Sequence, residues 1–572
     1  PAIGESIATS GLLRGDASVT ENIAIPGGVL QDVGQLFVQI SSGAVGDLAT
    51  GLQALVRFPY GCTEQIVSGF LPHLALARLA QATEITTPIN IEELRTQVQT
   101  RLQDLYAHQR SDGGFGFWEQ SERSYPYLTA YTLYALEQAR AFGITVDDEV
   151  LAAARTYLRA KVWSELRASG ADTSDPAFAD ADTRAFAMYA LSFAAEFDTA
   201  MLSRLFERRQ DMSAEGKAFV LLTATATANP GIADTILREL EQDASQTDRE
   251  AFFAAAGTPW NMGSDIRTTA IALQAILAQD TEHPLIPKIL AYLRDKKESG
   301  ARHGGTPWGT TQNTSWVLSA LARSLEADPP AASEVTVSLN LQELMRDRVD
   351  PENRTISAAT PIAELKTGIA ANSIDITNEG GNTVYDIVAN YFLPIDRVSA
   401  VNNGLGIFRE HFAFSDEERL SPITAAAPGE LLRGRATILV PDSRHFVGVH
   451  LPIPAGTEAI NFALETTDQT LRDAVSDCER FWCPGDQSWR FGHREYRDDH
   501  IFLFAEYLPA GRYQFDYLLR ATIPGEYQLL PATAEEMYHP ETFGRSTGSS
   551  FTVTRRSAAS ATPSPSPTET TD

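Results

Sequence analysis

Polar and apolar positions alternate over residues 17–41 and predict strands: "ASVTENIAI", a Pro-Gly-Gly turn, then "GQLFVQIS". From about Leu48 the alternation gives way to alanine- and leucine-rich segments with a spacing of about 3.6 residues, which predicts helices as far as about Leu325. After "EADPP" the alternation returns in "SEVTVSLNL", "NSIDITNEGG" and "TVYDIVANYFLP". It continues through "ATILVP", "HFVGVHLPIPAG" and "HIFLFAEYLPAGRYQFDYLLRATIPGEYQLLP", where short strands and Pro-Ala-Gly turns predict antiparallel sandwiches. The helical block is therefore inserted between strands. The strands on either side are expected to share one β-domain, because the ends of an inserted domain lie close together.

The helical block repeats. "TAYTLYAL" from Thr129, "RAFAMYAL" from Arg184, "TAIALQAI" from Thr269 and "TSWVLSAL" from Thr314 share a pattern, at intervals of 55, 85 and 45 residues. The long middle interval predicts a further, poorer copy. Each unit has room for two helices burying an Ala/Leu face, so stacked helical hairpins follow, as an open superhelix or a closed α/α toroid. Two glycine-rich turns, "DGGFGFW" and "GGTPWGTTQNTSW", precede repeat helices, and their Trp residues are expected to plug the barrel ends. The expected division is 1–45 and 329–396 for the first β-domain, 46–328 for the helical block and 397–556 for a terminal β-sandwich. A disordered Ser/Thr/Pro-rich tail is expected over 557–572.

Composition narrows the function. At 572 residues the chain is long enough for three or four domains, and 43% hydrophobic with 21% charged residues is the balance of a globular protein. A net charge of −28 argues against nucleic acid as a partner, which needs clustered Lys and Arg. No apolar run reaches the length of a membrane span. The chain opens at Pro1 without a charged-then-apolar leader, and is expected to be the C-terminal part of a longer, exported chain. Only three cysteines occur. Cys478 and Cys483, in "CERFWC", are close enough for a short-loop disulfide, with free thiols as the alternative; no ligand spacing supports a metal. Cys62 is left over.

Cys62 lies in "RFPYGCTEQIVSGF", three positions before Gln65. On a helix starting after Gly61 the two share a face, and the helix N-terminus favours the thiolate. Attack of that thiolate on the Gln65 carbonyl, with loss of ammonia, gives an internal thioester: an activated acyl group that any amine or hydroxyl can capture. Such a bond has to be kept from water behind apolar side chains.

"PYGCTEQ" resembles the thioester signature of the α2-macroglobulin and complement family. "QRSDGGFGFWEQ", "WGTTQNTSWVLSAL", "HLPIPAGTEAIN", "YLPAGRYQFDYLLRATIPGEY" and "EEMYHPETFGRS" are similar to segments of its bacterial members. The resemblance covers nearly the whole chain apart from the tail. It implies an α/α-toroid thioester domain inserted in a CUB-like β-domain, followed by a macroglobulin-like β-sandwich. It implies a protease inhibitor rather than an enzyme, with a single-use bond that traps proteases through Lys amines. It also implies upstream macroglobulin-like domains and a bait region, and a periplasmic or cell-surface setting, with anchoring left open. No cofactor is expected, and a monomer is. Met537 and Tyr538 match a shielding Met-Tyr pair, a role to which Tyr60 of the signature adds. Glu64 is open between polarising an incoming amine and standing exposed in the first helical turn. Complement members that prefer hydroxyl acceptors use a toroid histidine. None occurs between His108 and His283, so direct amine acylation is expected.

Two other functions remain as alternatives: an adhesin using the same thioester, and a toroid cyclase or prenyltransferase-like enzyme with an acid-lined apolar cavity. "DADT" at Asp180–Thr183 is similar to part of a cyclase acidic motif and reads better as a helix cap. "HREYRDDH" reads as strand with solvated charges rather than as a metal site.

Overall fold

The structure, a computed structural model, describes residues 2–42, 55, 61–82, 91–163, 180–194, 197–256, 259–297, 306–327, 332–350, 355–464, 467–471 and 490–555. The tail, Tyr60, Cys478 and Cys483 lie outside these residues. Two compact units are present, residues 2–393 and the chain from Pro394 onward.

The first unit begins with strands β1 (Ala2–Leu13), β2 (Ala17–Ile23) and β3 (Gln35–Ser42). Eleven helices follow among the described residues: α1 (Thr63–Ala82), α2 (Ile91–Ala107), α3 (Pro126–Ala141), α4 (Asp148–Trp163), α5 (Ala181–Leu191), α6 (Thr199–Glu207), α7 (Ala214–Ala226), α8 (Pro230–Asp243), α9 (Asp265–Gln279), α10 (Leu285–Asp295) and α11 (Thr311–Ala327). A small hairpin, β4 (Ser245–Gln246) with β5 (Ala251–Phe252), stands between α8 and α9. The odd-numbered helices pack each on the next, and α11 packs back on α1, so the six close into a ring. Even-numbered helices stand outside their partners. This is consistent with an α/α toroid.

The two sets of helices differ as their positions demand. In α3, fourteen of sixteen residues are buried, so the helix keeps no wet face. In α8 only Ala233, Ile236 and Leu240 are buried, a single stripe at helical spacing. The repeats read from sequence are α3, α5, α9 and α11, and the poorer copy is α7. Helix boundaries follow local chemistry. Asp180, Ser213 and Ser264 accept first-turn N–H groups of α5, α7 and α9 with their side chains. Helix α3 ends on Gly143 at φ +86°, with Ile144 N–H bonded to Ala139 O at 3.0 Å and Gly143 N–H to Arg140 O at 3.0 Å. The Ala and Leu positions of the repeat helices are buried as expected, and aromatic residues occupy the ring interior. Phe186, Phe219, Tyr131, Tyr134, Tyr189 and Trp316 fill it, Phe186 stacking on Phe219 at 4.2 Å and Tyr134 on Trp316 at 5.7 Å.

After the ring come β6 (Ser333–Leu339), β7 (Gln342–Val349), β8 (Thr355–Pro361), β9 (Asn372–Gly380) and β10 (Thr383–Pro394). They pair with the strands that precede it. The two sheets have orders β1-β10-β3-β8 and β2-β9-β6-β7. In β9, Ile374 and Ile376 are buried while Ser373 and Asp375 are only partly covered. These isoleucines join Val38, Ile40, Val337 and Ile387 in one core. Lys297, beyond α10, reaches Asp386 of β10 at 2.6 Å and ties ring to sandwich.

The second unit contains β11 (Val401–Asn403), β12 (Gly406–Ala413), β13 (Ala425–Ala426), β14 (Leu431–Val440), β15 (Arg444–Pro452), β16 (Thr457–Ala459), β17 (His493–Tyr496), β18 (His500–Leu508), β19 (Gly511–Ala521), β20 (Gly525–Leu529), β21 (Thr533–Glu536), β22 (His539–Arg545) and β23 (Ser549–Val553). A six-stranded sheet, β11-β22-β21-β15-β18-β17, and a four-stranded sheet, β12-β14-β19-β16, share one apolar core. A third sheet, β13-β23-β20, contains a short parallel pair, β13 with β23. "HREYRDDH" is the β17–β18 hairpin.

Candidate functional site

Cys62 directly precedes α1, and its carbonyl accepts Ile66 N–H at 2.9 Å, the first hydrogen bond of the helix. It is fully buried, and Gln65 is 6% exposed. The Gln65 side chain turns back along the first turn, so that its Oε1 accepts Cys62 N–H at 3.3 Å. The carboxamide is thus held against the cysteine residue at the positive end of a helix, out of water. Polarisation by that N–H makes the Gln65 carbonyl carbon more open to attack.

The first turn is clamped from the glycine-rich turn after α2. Thr63 donates its N–H to Phe117 O at 2.9 Å and its hydroxyl to Gly116 O at 2.5 Å. Gly116 has no room for a side chain, since a Cβ would lie 2.4 Å from Ser121 Cβ. His108 Nδ1 is 2.8 Å from the Thr63 hydroxyl. His108, which bounds the histidine-free stretch before His283, thus stands beside the residue that follows Cys62. Trp118 and Trp308 of the two glycine-rich turns are buried, and Trp308 Nε1 donates to Leu293 O at 2.7 Å.

Glu64 is not exposed. Its carboxylate is fully buried on the face of α1 that carries Ser68, one helical turn on. It accepts the Ser68 hydroxyl at 2.5 Å and the Thr311 hydroxyl at 2.8 and 3.0 Å. Ser68 lies 3.0 Å from Tyr131 Oη, and Tyr131 donates to Ser315 at 2.9 Å. Burial holds the Tyr131 phenol well above its ordinary range, and the charge of Glu64 adds to the rise. Sequence reasoning missed these hydroxyls. Ser68 is four residues after Glu64, but Thr311 is brought in only by closure of the ring.

Beside Thr311, Gln312 Oε1 accepts from Arg267 at 2.6 Å. Arg267, fully buried, holds the Glu215 carboxylate with Nε and Nη2 at 2.7–3.1 Å and lies over the Tyr127 ring at 4.7 Å. The acidic "DADT" segment caps α5: Asp180 accepts Thr183 N–H at 2.7 Å, and Asp182 accepts Ser213 N–H and Oγ at 2.9 and 2.5 Å.

In the second unit Met537 and Tyr538 form the two-residue turn of the β21–β22 hairpin, between the paired residues Glu536 and His539. Such turns favour Asn-Gly or Gly-containing pairs, and two large apolar residues are a departure from that chemistry. Tyr538 is 6% exposed and meets Phe446 edge-on at 5.3 Å.

Within the described chain, then, a ring of helices lies between the strands of one sandwich, with a Cys-x-x-Gln turn buried at the start of its first helix, and a β-sandwich unit follows. Residues 32–165 match the A-macroglobulin TED domain family and residues 404–541 the bacterial α2-macroglobulin MG10 domain family. An α2-macroglobulin homolog of Nostoc sp. is 26% identical over 95% of this chain and 28% of its own length. The Escherichia coli α2-macroglobulin is 24% identical over 91% of this chain and 30% of its own. The chain therefore spans about 30% of the length of these relatives. In fold it is similar to native E. coli α2-macroglobulin from domain MG7 to the C-terminus. That likeness has a TM-score of 0.74, 19% identity, and covers 97% of this chain and 82% of that one. It is also similar to a Salmonella α2-macroglobulin reacted with methylamine, with a TM-score of 0.71, 20% identity, and coverage of 97% and 34%. Together these findings support a C-terminal fragment of a bacterial α2-macroglobulin.

Proposed function

We propose that this chain carries the reactive thioester of a broad-range endopeptidase trap. The observation that carries the reading is the Gln65 carboxamide folded onto Cys62 in a buried first turn. In forming the bond, the Cys62 thiolate attacks Gln65 Cδ, the Sγ–Cδ bond forms, the Cδ–Nε2 bond breaks, and ammonia leaves with the thiol proton. In capture, a Lys amine of the protease attacks Cδ and forms an amide. The Cδ–Sγ bond breaks, and the proton lost by the amine returns to the Cys62 sulfur. Each bond acts once, so the protein is an inhibitor and not an enzyme.

The remaining parts follow the same reading. The ring is an α/α toroid inserted in a CUB-like β-domain, with the first β-domain over 1–45 and 329–396, the toroid over 46–328 and a macroglobulin-like sandwich over 397–556. Met537, Tyr538 and Tyr60 shield the bond from water, a role that the unusual composition of the β21–β22 turn supports. Glu64 polarises the incoming amine, supported by its burial beside hydroxyls that serve either protonation state. Cys478 and Cys483 form a disulfide. Upstream macroglobulin-like domains and a bait region supply the trigger, in a monomeric protein exported to the periplasm or cell surface. The domain-family and relative matches do not favour the cyclase alternative.

Intact mass measurement tests the reading. Beyond the two hydrogens lost in the disulfide, the chain is expected to be lighter than its sequence by one ammonia, and methylamine should add to Gln65 while freeing one thiol at Cys62. A mass without the ammonia deficit, with no thiol released by methylamine, would sink it. Covalent adducts with added proteases then separate a trap from an adhesin.

A further inference from the structure

Phe446, the third residue of β15, has φ +52°, a left-handed conformation that a bulky residue adopts only at a steric cost. The neighbours of Phe446 keep regular antiparallel pairing with β18, His445 opposite Tyr507 and Val447 opposite Ala505. The strain is therefore confined to one residue, and that residue faces the β21–β22 turn. Its carbonyl accepts Met537 N–H at 2.9 Å, and its buried ring meets Tyr538 edge-on at 5.3 Å. On either side the turn is clamped further. Glu536 accepts His445 N–H at 3.0 Å and lies 3.6 Å from Arg444. Gly448 leaves open the space where a Cβ would stand 3.4 Å from Met537 Cγ.

We propose that Phe446 is the positioning residue for the shielding pair: its left-handed backbone and its ring together form the seat that fixes the Met537–Tyr538 turn. Strain kept at one residue while its neighbours pair normally is what a locally over-determined functional position requires. The inference rests on the reading that Met537 and Tyr538 cover the thioester.

The experiment measures the rate of thiol release by methylamine, and the spontaneous loss of thioester in buffer, in the whole chain. Tyr538→Ala should accelerate both. Phe446→Leu, which keeps a buried apolar side chain but no ring, should accelerate both roughly three- to tenfold. Phe446→Tyr should stay at the wild-type rate. Phe515→Leu, in the same unit's core, should lower thermal stability without changing either rate. Phe446→Leu added to Tyr538→Ala should accelerate no more than Tyr538→Ala alone. A wild-type rate for Phe446→Leu, with Tyr538→Ala still fast, overturns the seat and leaves the cover standing. A wild-type rate for Tyr538→Ala overturns both. Equal acceleration by Phe515→Leu also overturns the seat, because general loosening would then suffice. Phe446→Met, of similar volume, repeats the test should the leucine variant not fold.

Discussion

Replacing Thr311 by Val tests how the ring is closed at α1. The substitution is nearly isosteric and removes one hydroxyl, which lies 2.8 and 3.0 Å from the two oxygens of the buried Glu64 carboxylate. Thr311 is also the first residue of α11, so the contact joins the N-terminal turns of the first and last inner helices. A hydrogen bond to a buried charge is worth about 1.5–3 kcal/mol, and Ser68 at 2.5 Å keeps its share of the carboxylate, so a loss of about 2 kcal/mol is expected. For a helical region of this size that corresponds to a fall in the melting temperature of about 4–8 °C. Calorimetry at neutral pH on wild type, Thr311→Val and Thr311→Ser measures it, with the serine variant expected to recover most of the loss. A shift below about 2 °C for the valine variant would refute the reasoning, because a hydroxyl bonded to a buried carboxylate cannot be removed so cheaply.

Cys62→Ser should abolish both the ammonia deficit and methylamine uptake, and Gln65→Glu should do the same, because a carboxylate is not attacked by the thiolate; intact mass reads both. Arg267→Met leaves Glu215 buried without its guanidinium and should cost about 3–5 kcal/mol in urea unfolding, whereas Arg267→Met combined with Glu215→Leu should recover much of that loss. Burial pushes the Asp182 carboxyl up to about 7, against the Ser213 hydrogen bonds and with the charges of Glu215 and Asp180 adding to the rise. The folded state therefore binds a proton that the unfolded state has released. The stability from this group is present below the ordinary aspartate range and is lost as pH rises towards 7. Asp182→Asn should flatten that fall in a series of thermal melts, and a wild-type slope in the variant would count against it.

Much of the ring was legible because its inner helices repeat a motif: the Ala-Leu endings of α3, α5 and α11 and the Ala-Ile ending of α9 are buried. The inner helix α7 was foreseen only as a gap in the spacing, since "AEGKAFVLLTATA" lacks the shared ending. Cys62 and Gln65 could be paired from their spacing, which one helical turn brings together. The hydroxyls around Glu64 could not, because Thr311 lies 247 positions away and reaches it only when the last helix meets the first. Likewise the left-handed residue Phe446 carries no sequence signal: glycine would mark such a position, and here a phenylalanine occupies it.

The pairing of β2 with β9 and of β3 with β8 and β10 has a consequence for synthesis. About 290 residues separate the end of β3 from the start of β6. At about 5–20 residues per second, the first three strands wait tens of seconds for partners while the ring is made. The ring's contacts run mainly between successive inner helices, so it can build from its first helices onward while the chain is still growing; the sandwich cannot. Until β9 and β10 emerge, β2 and β3 present open edges able to pair with the wrong chain. The order of birth therefore places α1, with its cysteine, in helical company before the sandwich that frames the ring exists. Only the last joint, between α11 and α1, has to wait until the ring's final helix has been made.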